Sequence, residues 1–462
     1  MQRDYLGNPV TGDNEATLHM LDDFIEGFLA YETRAERILE ASATDPDSCM
    51  ANVYSGMLWM LLETSAAPQR AVPYLDAAQR AAPPASRREQ CNVAVLRAWV
   101  SDDIAQTLRL CNEASERFPH DLVIAKIHQY LQFNRGNAPA MLKAAITVMG
   151  VNLQVPYVHG MAAFGYEQCH LLEEAERAAR RALELRAKEP WAQHALAHVL
   201  LTQGRIDEGA AFLEQVENTW TGLNSFMLTH LWWHLALFYI SQGRDAEALT
   251  AFDRHCWGIA KTYSQDQVGA VSLLARLELA GIDVGSRWED VADHLAARAA
   301  DTVQPFLSLQ YLYGLARAGR SEAKALLETV REFATTAPAH SHRAWNEVAL
   351  PAAEGLYAYA TSDFAGAWTR LAVAIPRMSE VGGSHAQRDL FEQLFLDATR
   401  KSGRLAAAQQ MLELRRRYDP HGVPVNMALA AVYGQLGLSS LEVQARARAA
   451  DTRLRHGGKR AS

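Results

Sequence analysis

A period of 34 residues constrains this chain more than any other feature of its sequence. Asp102, Gly136, His170 and Gly204 follow one another at that interval, Gly243 comes 39 residues later, and Gly403 and Gly437 are again 34 apart. Each falls between two stretches whose apolar residues recur at i, i+3, i+4, the pattern of paired amphipathic helices. A second set of positions holds only small residues: Ala163, Ala197 and Ala236 on the first helix of a pair, and Ala175, Gly209 and Ala248 on the second. Small residues are required there because helix axes that approach within about 8–10 Å leave no room for larger ones. A lone helix pair cannot bury its apolar face, so such units stack into arrays.

These spacings predict an all-α fold, a TPR-like helical-repeat superhelix (α-solenoid) with an enclosed concave groove. Residues 1–47 read as an extended lead-in followed by a helix that Asn14 caps and that runs to about Ser42. Residues 48–258 read as TPR-like repeats, with a helix over 48–64 and another in the 71–82 region. Residues 259–400 read as helical but irregular in period, with breaks at Gly281–Gly285 and Ala337–His340. Residues 401–455 return to the regular repeat, with Pro420 between its glycines and Ala408 at a small site, and 456–462 form a tail. No segment alternates with period two long enough to require a sheet.

Composition narrows the function. Apolar residues make up 49% of the 462, enough to bury a core, and the formal net charge is −8. That balance argues against nucleic acid and anionic membranes as partners. The basic residues Arg446, Arg448, Arg453, Arg455, Lys459 and Arg460 gather at the C-terminal end, as on a solvated helix end. Five widely spaced cysteines, with no CxxC, suit reduced thiols and a cytoplasmic setting. The first residues lack the apolar core of a secretory signal, and no apolar run reaches the length of a membrane span.

Residues 157–257 hold seven of the sixteen histidines and five of the ten tryptophans. Two pairs stand at i, i+4: His194 with His198, and His230 with His234. In a TPR superhelix the first helix of each pair lines the concave face. The register then aims Lys126, Tyr157, Phe164, Glu167, Gln168, Trp191, His194, His198, His230, Trp233 and Leu237 into the groove and sets His234 at its edge. A pocket with apolar walls and a few convergent polar groups is the usual form of a ligand site. The preferred reading is therefore recognition of a peptide, protein segment or small molecule by Lys126, Tyr157, Phe164, Glu167, Trp191, His194, His198, His230 and Trp233. A second reading makes the histidines and tryptophans purely structural, in a scaffold. A third is an enzyme or metal-binding protein: histidines at i, i+4 share one helix face and can share one ion, such as zinc. His194, His198, His230, His234 and Glu167 are its candidate ligands, although the edge position of His234 counts against all four histidines converging. Were the groove catalytic, Glu167 or a histidine would act as base, with Lys126 as charge partner. Ala195 stands where a zincin helix needs glutamate.

Other motifs carry less. Gly382-Gly-Ser-His-Ala386 resembles a nucleophile elbow, but no strand precedes it. Its glycines suit a tight turn before a helix that Arg388 and Asp389 anchor through ion pairs. Asp253 and His255 suit a cap or an inter-repeat hydrogen bond, and Trp288 and Trp345 suit plugs between helices. There is no Walker loop and no dinucleotide fingerprint. Catalysis and oligomeric state are left open by these residues.

Over nearly the whole chain the sequence resembles the tetratricopeptide repeat protein 38 family. The resemblance is carried by Arg87-Arg-Glu-Gln90, the His194–His198 helix, His230-Leu-Trp-Trp-His234, Val284-Gly-Ser-Arg-Trp-Glu-Asp290 and Gly382-Gly-Ser-His-Ala-Gln-Arg-Asp389. It implies an intracellular, all-helical, TPR-like protein and no settled biochemical activity. An acidic residue is expected near Gly269, where this chain has glycine.

Overall fold

The computed structural model describes residues 2–12 and 14–457; of the basic C-terminal residues, Lys459 and Arg460 lie outside them, as do Met1, Asp13, Gly458, Ala461 and Ser462. The fold is all-α, built from antiparallel helix pairs of the TPR-like, α-solenoid kind, with one two-stranded ribbon, Gln2–Arg3 against Pro9–Val10. Two compact units divide the chain: Met1–Leu196 with Thr219–Met227, and Ala197–Asn218 with Leu228–Ser462. Among the described residues no helix is long and apolar enough to cross a membrane.

The periodic positions do the backbone work that their spacing implies. Asp102, Gly136, His170, Gly204, Gly243, Gly403 and Gly437 all have positive φ, between 57° and 81°. Each lets one helix end and its partner start within a few residues. The same device continues through the irregular middle, at Gly281, Gly319 and Ser362. That segment is therefore the same kind of helix pair at longer intervals: Ser264–Leu279 with Arg287–Leu295, Pro305–Arg317 with Glu322–Thr336, and Leu350–Ala360 with Phe364–Ala374.

The small sites sit where helices cross. In the first unit Ala163, Ala175, Ala179 and Ala182 are fully buried. A Cβ added at Gly165 would stand 2.8 Å from the Cα of Leu142. In the second unit Ala197, Ala236 and Ala248 are buried likewise, and a Cβ at Gly209 would meet the Phe238 ring at 2.3 Å.

Asn14 caps its helix as expected, its Oδ1 accepting from the Thr17 amide at 2.9 Å. The helix stops at Ala30, not near Ser42. Tyr31 turns left-handed (φ 57°), and the chain leaves to pair with the segment that rejoins this unit: the Asn224 amide donates to Tyr31 O at 2.7 Å and the Thr33 amide to Gly222 O at 3.0 Å. A short 3-10 turn, Thr33–Arg37, then leads into Ile38–Thr44.

Within this unit the Arg87–Val100 helix fastens the N-terminal ribbon. Arg88 is buried, donating to Asp121 at 3.0 Å and to Pro9 O at 3.2 Å, with Asp4 at 3.5 Å. Glu89 accepts from the Thr11 hydroxyl at 2.6 Å and closes a capping box with Ser86. The last helix, Ser439–Gly457, uses its arginines as ties: Arg446 pairs with Glu442 at 2.8 Å, and Arg448 donates to Asn426 Oδ1 at 2.7 Å.

Candidate metal centre

The Ser225–Gln242 helix has almost no polar face. From Leu228 to Phe238 nearly every residue is buried or nearly so, and a helix that is apolar all round belongs in an interior. Two histidines on such a helix, one turn apart, must find their polar partners inside the protein. Within the second unit they meet a third. His198, from the Pro190–Thr202 helix, lies with its ring centroid 4.5 Å from that of His234, and the His230 and His234 rings are 4.8 Å apart. His198 and His234 are 0% exposed and His230 8%. One ring nitrogen from each of the three lies within 4.8 Å of the others. Around a tetrahedral zinc, nitrogens at 2.0–2.1 Å from the ion are separated by about 3.3 Å, so small ring rotations bring this set to coordinating distance. The cluster is geometrically compatible with a transition-metal ion.

His234 therefore does not sit apart from its neighbours, as its edge position in the register suggests. The reason is burial on more than one face. Its helix runs 18 residues against 13 for Pro190–Thr202 and is buried on several sides, so a side chain off the main row still faces a packed neighbour.

The electrostatics suit ligation by neutral rings. Burial, and then the neighbouring His198, hold His230 down to about 3, so its ring is neutral at pH 7 and keeps a lone pair to offer. His230 stacks on Trp233 at 5.2 Å, with planes 8° apart, and the buried Arg276 guanidinium lies 5.2 Å from the centroid of the same indole. Arg276 also donates to Ala386 O at 2.7 Å, at the start of the His385–Lys401 helix. That helix carries His385, whose ring is 5.5 Å from His198 and edge-on to it.

The other sequence-predicted residues have different surroundings. His194 stands one turn before His198 on the same helix. In the first unit it stacks on Trp191 (4.4 Å, 20°), and Phe164 packs on both, at 4.6 Å from Trp191 and 5.1 Å from His194. Glu167, fully buried, accepts from Gln168 at 2.6 Å. Lys126 donates to Leu29 O at 2.9 Å, with its ammonium 3.8 Å from the Tyr31 centroid and 5.8 Å from that of Trp191. Tyr157 is turned to an ion-pair network, its hydroxyl 2.7 Å from Arg186 and 3.3 Å from Glu26. In the second unit His255 stacks on Trp232 at 3.8 Å, Asp253 pairs with Arg287 at 2.7 Å, and Trp288 and Trp345 are buried. Asp389 accepts from Arg415 at 2.6 and 3.1 Å, whereas Arg388 bonds to the carbonyls of Gly382 and Gly383. Sequence reasoning passed over Tyr31, Glu189, Arg276 and His385. Only His385 carried a signal, as the single imidazole of the 382–389 motif.

Fold and site together define the class: a TPR-like helical-repeat protein with a buried histidine cluster that a metal ion fits. No family model matches the chain. Solved structures with which it aligns include the human IFIT1 dimer with PPP-AAAA (TM-score 0.43, 13% identity, 98% of this chain and 98% of that one) and the human IFIT1 dimer with m7Gppp-AAAA (0.42, 12%, 98% and 98%). Another is the APC/C hetero-tetramer Cut9–Hcn1 (0.35, 11%, 95% and 94%). The IFIT1 structures correct one expectation. Two of them hold PPP-AAAA and m7Gppp-AAAA, and the expectation that nucleic acid is excluded as a partner is withdrawn.

Proposed function

We propose that this is a metal-binding protein in which His198, His230 and His234 hold a transition-metal ion of the zinc class. The observation that carries the reading is the convergence of three buried imidazoles from two helices. Imidazole nitrogen suits zinc, copper, iron and nickel. Three protein ligands leave a coordination position for water, a further side chain or a substrate, the arrangement that metal-assisted chemistry needs. Three neutral rings do not compensate a divalent charge, so an anion or hydroxide in that position is favoured by the buried surroundings.

The recognition-groove reading has less support, because Lys126, Tyr157, Phe164, Trp191, His194 and Trp233 are each packed against neighbours of their own unit. Membership of the tetratricopeptide repeat protein 38 family rests on the motif segments, above all residues 382–389. A cytoplasmic setting rests on the five free thiols.

Protein purified without a histidine tag should carry close to one equivalent of a transition metal, or take one up when zinc is supplied. His198→Ala should lower that stoichiometry. Less than about 0.1 equivalent after zinc exposure would refute the proposal.

A further inference from the structure

We infer that His385, presented by the Gly382–Asp389 segment, is a fourth protein ligand of the metal centre and the one that controls exchange of the ion. The inference rests on the metal-binding reading above and adds to it the residue that the 382–389 motif exists to place. All of the residues involved belong to the second unit.

The segment is held at every step, and each restraint bears on where His385 stands. Gly382 and Gly383 have φ of 86° and 75°, conformations that side chains rarely adopt, and a Cβ at Gly383 would come within 2.8 Å of the Phe306 ring. The double glycine thus lets the chain turn against Phe306 and start a helix at once. Ser384, buried, closes a capping box with Gln387: its Oγ accepts from the Gln387 amide at 3.2 Å and its own amide donates to Gln387 Oε1 at 2.8 Å. Arg388 reaches back to the carbonyls of both glycines. Arg276 holds the Ala386 carbonyl, one residue past His385, and covers Trp233, which in turn stacks on His230. One guanidinium therefore links the backbone beside His385 to the face of a proposed ligand. Such outer supports set ligand orientation at metal sites.

The result is an imidazole with a ring nitrogen within 4.8 Å of a ring nitrogen of His198. It differs from the other three in two respects. His198, His230 and His234 are buried, whereas His385 is only half-buried, so it stands on the side of the centre that solvent reaches. It also occupies the first position of its helix, where the positive end of the macrodipole disfavours a cation by about 0.3–1 kcal/mol. A ligand that is accessible and electrostatically weakened is the first to let go and the first to capture.

The test uses cobalt(II) as a spectroscopic probe in the full, tag-free chain, comparing wild type with His385→Ala, His385→Cys and His198→Ala. His385→Ala should keep a cobalt site but bind at least about tenfold more weakly and release the ion to a chelator faster by a similar factor. His385→Cys should add a thiolate-to-cobalt charge-transfer band in the near ultraviolet that wild type lacks, a signature that a merely structural role for position 385 cannot produce. An unchanged affinity and release rate in His385→Ala, with no new band in His385→Cys, would overturn the assignment of His385 while the three-histidine centre stood, provided that His198→Ala lost binding. Absence of any cobalt or zinc site in wild type would overturn both.

Discussion

Lys126 and Glu189 offer a sharp test of how the first unit is held together. Among the described residues the Lys126 ammonium has one oxygen acceptor, Leu29 O at 2.9 Å, and otherwise faces rings: Tyr31 at 3.8 Å, Phe28 at 5.6 Å and Trp191 at 5.8 Å. Glu189 is 0% exposed, accepts from the Ala192 amide through Oε2, and its Oε1 finds no hydrogen-bond partner among the described residues. Burial pulls the lysine well below its ordinary pKa and pushes the carboxyl well above its own, and each charge resists the shift of the other. Lys126 and Glu189 influence each other through space without an ion pair between them among the described residues, so removing one costs about 1–3 kcal/mol, the range for a buried polar group left without its partner, whereas replacing both with neutral groups of similar volume is often close to neutral. Lys126→Met and Glu189→Gln should each lower stability by about 2 kcal/mol, or roughly 4–8 °C in melting midpoint for a unit of this size. The double variant should return to within about 1 kcal/mol of wild type. The pH dependence has a definite sign. Native Glu189 keeps its proton above 4.5, the ordinary glutamate value, so its contribution is full below 4.5 and falls as pH rises through its raised pKa. Native Lys126 gives up its proton below the ordinary 10.5, so stability recovers as pH climbs from its lowered pKa towards 10.5. Wild type measured against the double variant should therefore be least favoured near neutrality. Thermal melts of the four proteins from pH 5 to 9 decide the matter. Single-variant losses that sum to the double within about 0.5 kcal/mol, or a double variant with the pH profile of wild type, would refute the reasoning.

Two further perturbations follow from the packing. Gly165→Ala should cost about 2–3 kcal/mol, because its Cβ meets the Leu142 backbone at 2.8 Å, whereas Gly269→Ala, with nothing within 4 Å, should stabilise by about 0.5–1 kcal/mol; equal midpoint shifts for the two would contradict the close-crossing argument. Arg88→Met should destabilise the first unit by about 3 kcal/mol and raise the rate of proteolysis within residues 2–12, since Arg88 joins Asp4, Pro9 and Asp121; unchanged cleavage of that segment would count against the latch.

The parts of this structure that could be read from the sequence are those a local rule enforces. A left-handed turn admits few residue types, so Gly136, Gly204 and Gly243 announce helix reversals, and a close crossing admits only Ala or Gly, so Ala163, Ala175 and Gly209 mark the register. Where the rule relaxes, legibility drops. Ser362 does at positive φ what glycine does elsewhere, and the longer intervals around Gly281 and Gly319 hide the repeat from a search at one period. Apolar spacing through Leu29, with no breaker before Asp45-Pro46-Asp47, predicts an N-terminal helix reaching about Ser42. It stops at Ala30 because Tyr31 bonds to Asn224, a partner nearly two hundred residues away that no local pattern reveals.

The metal centre divides along the same line. The i, i+4 pairs specify that His194 with His198, and His230 with His234, lie one turn apart, because that follows from a single helix. Which rings from different helices meet depends on how each helix is rotated. The register answers that for an average repeat, and the 18-residue Ser225–Gln242 helix is not average. Its near-total burial means that its two histidines must find their partners on packed neighbours, whichever row of the register they occupy. His385 lies outside any such inference from the repeat. It reaches the centre only through two left-handed glycines and an arginine carbonyl clamp, features that belong to the motif and not to the period.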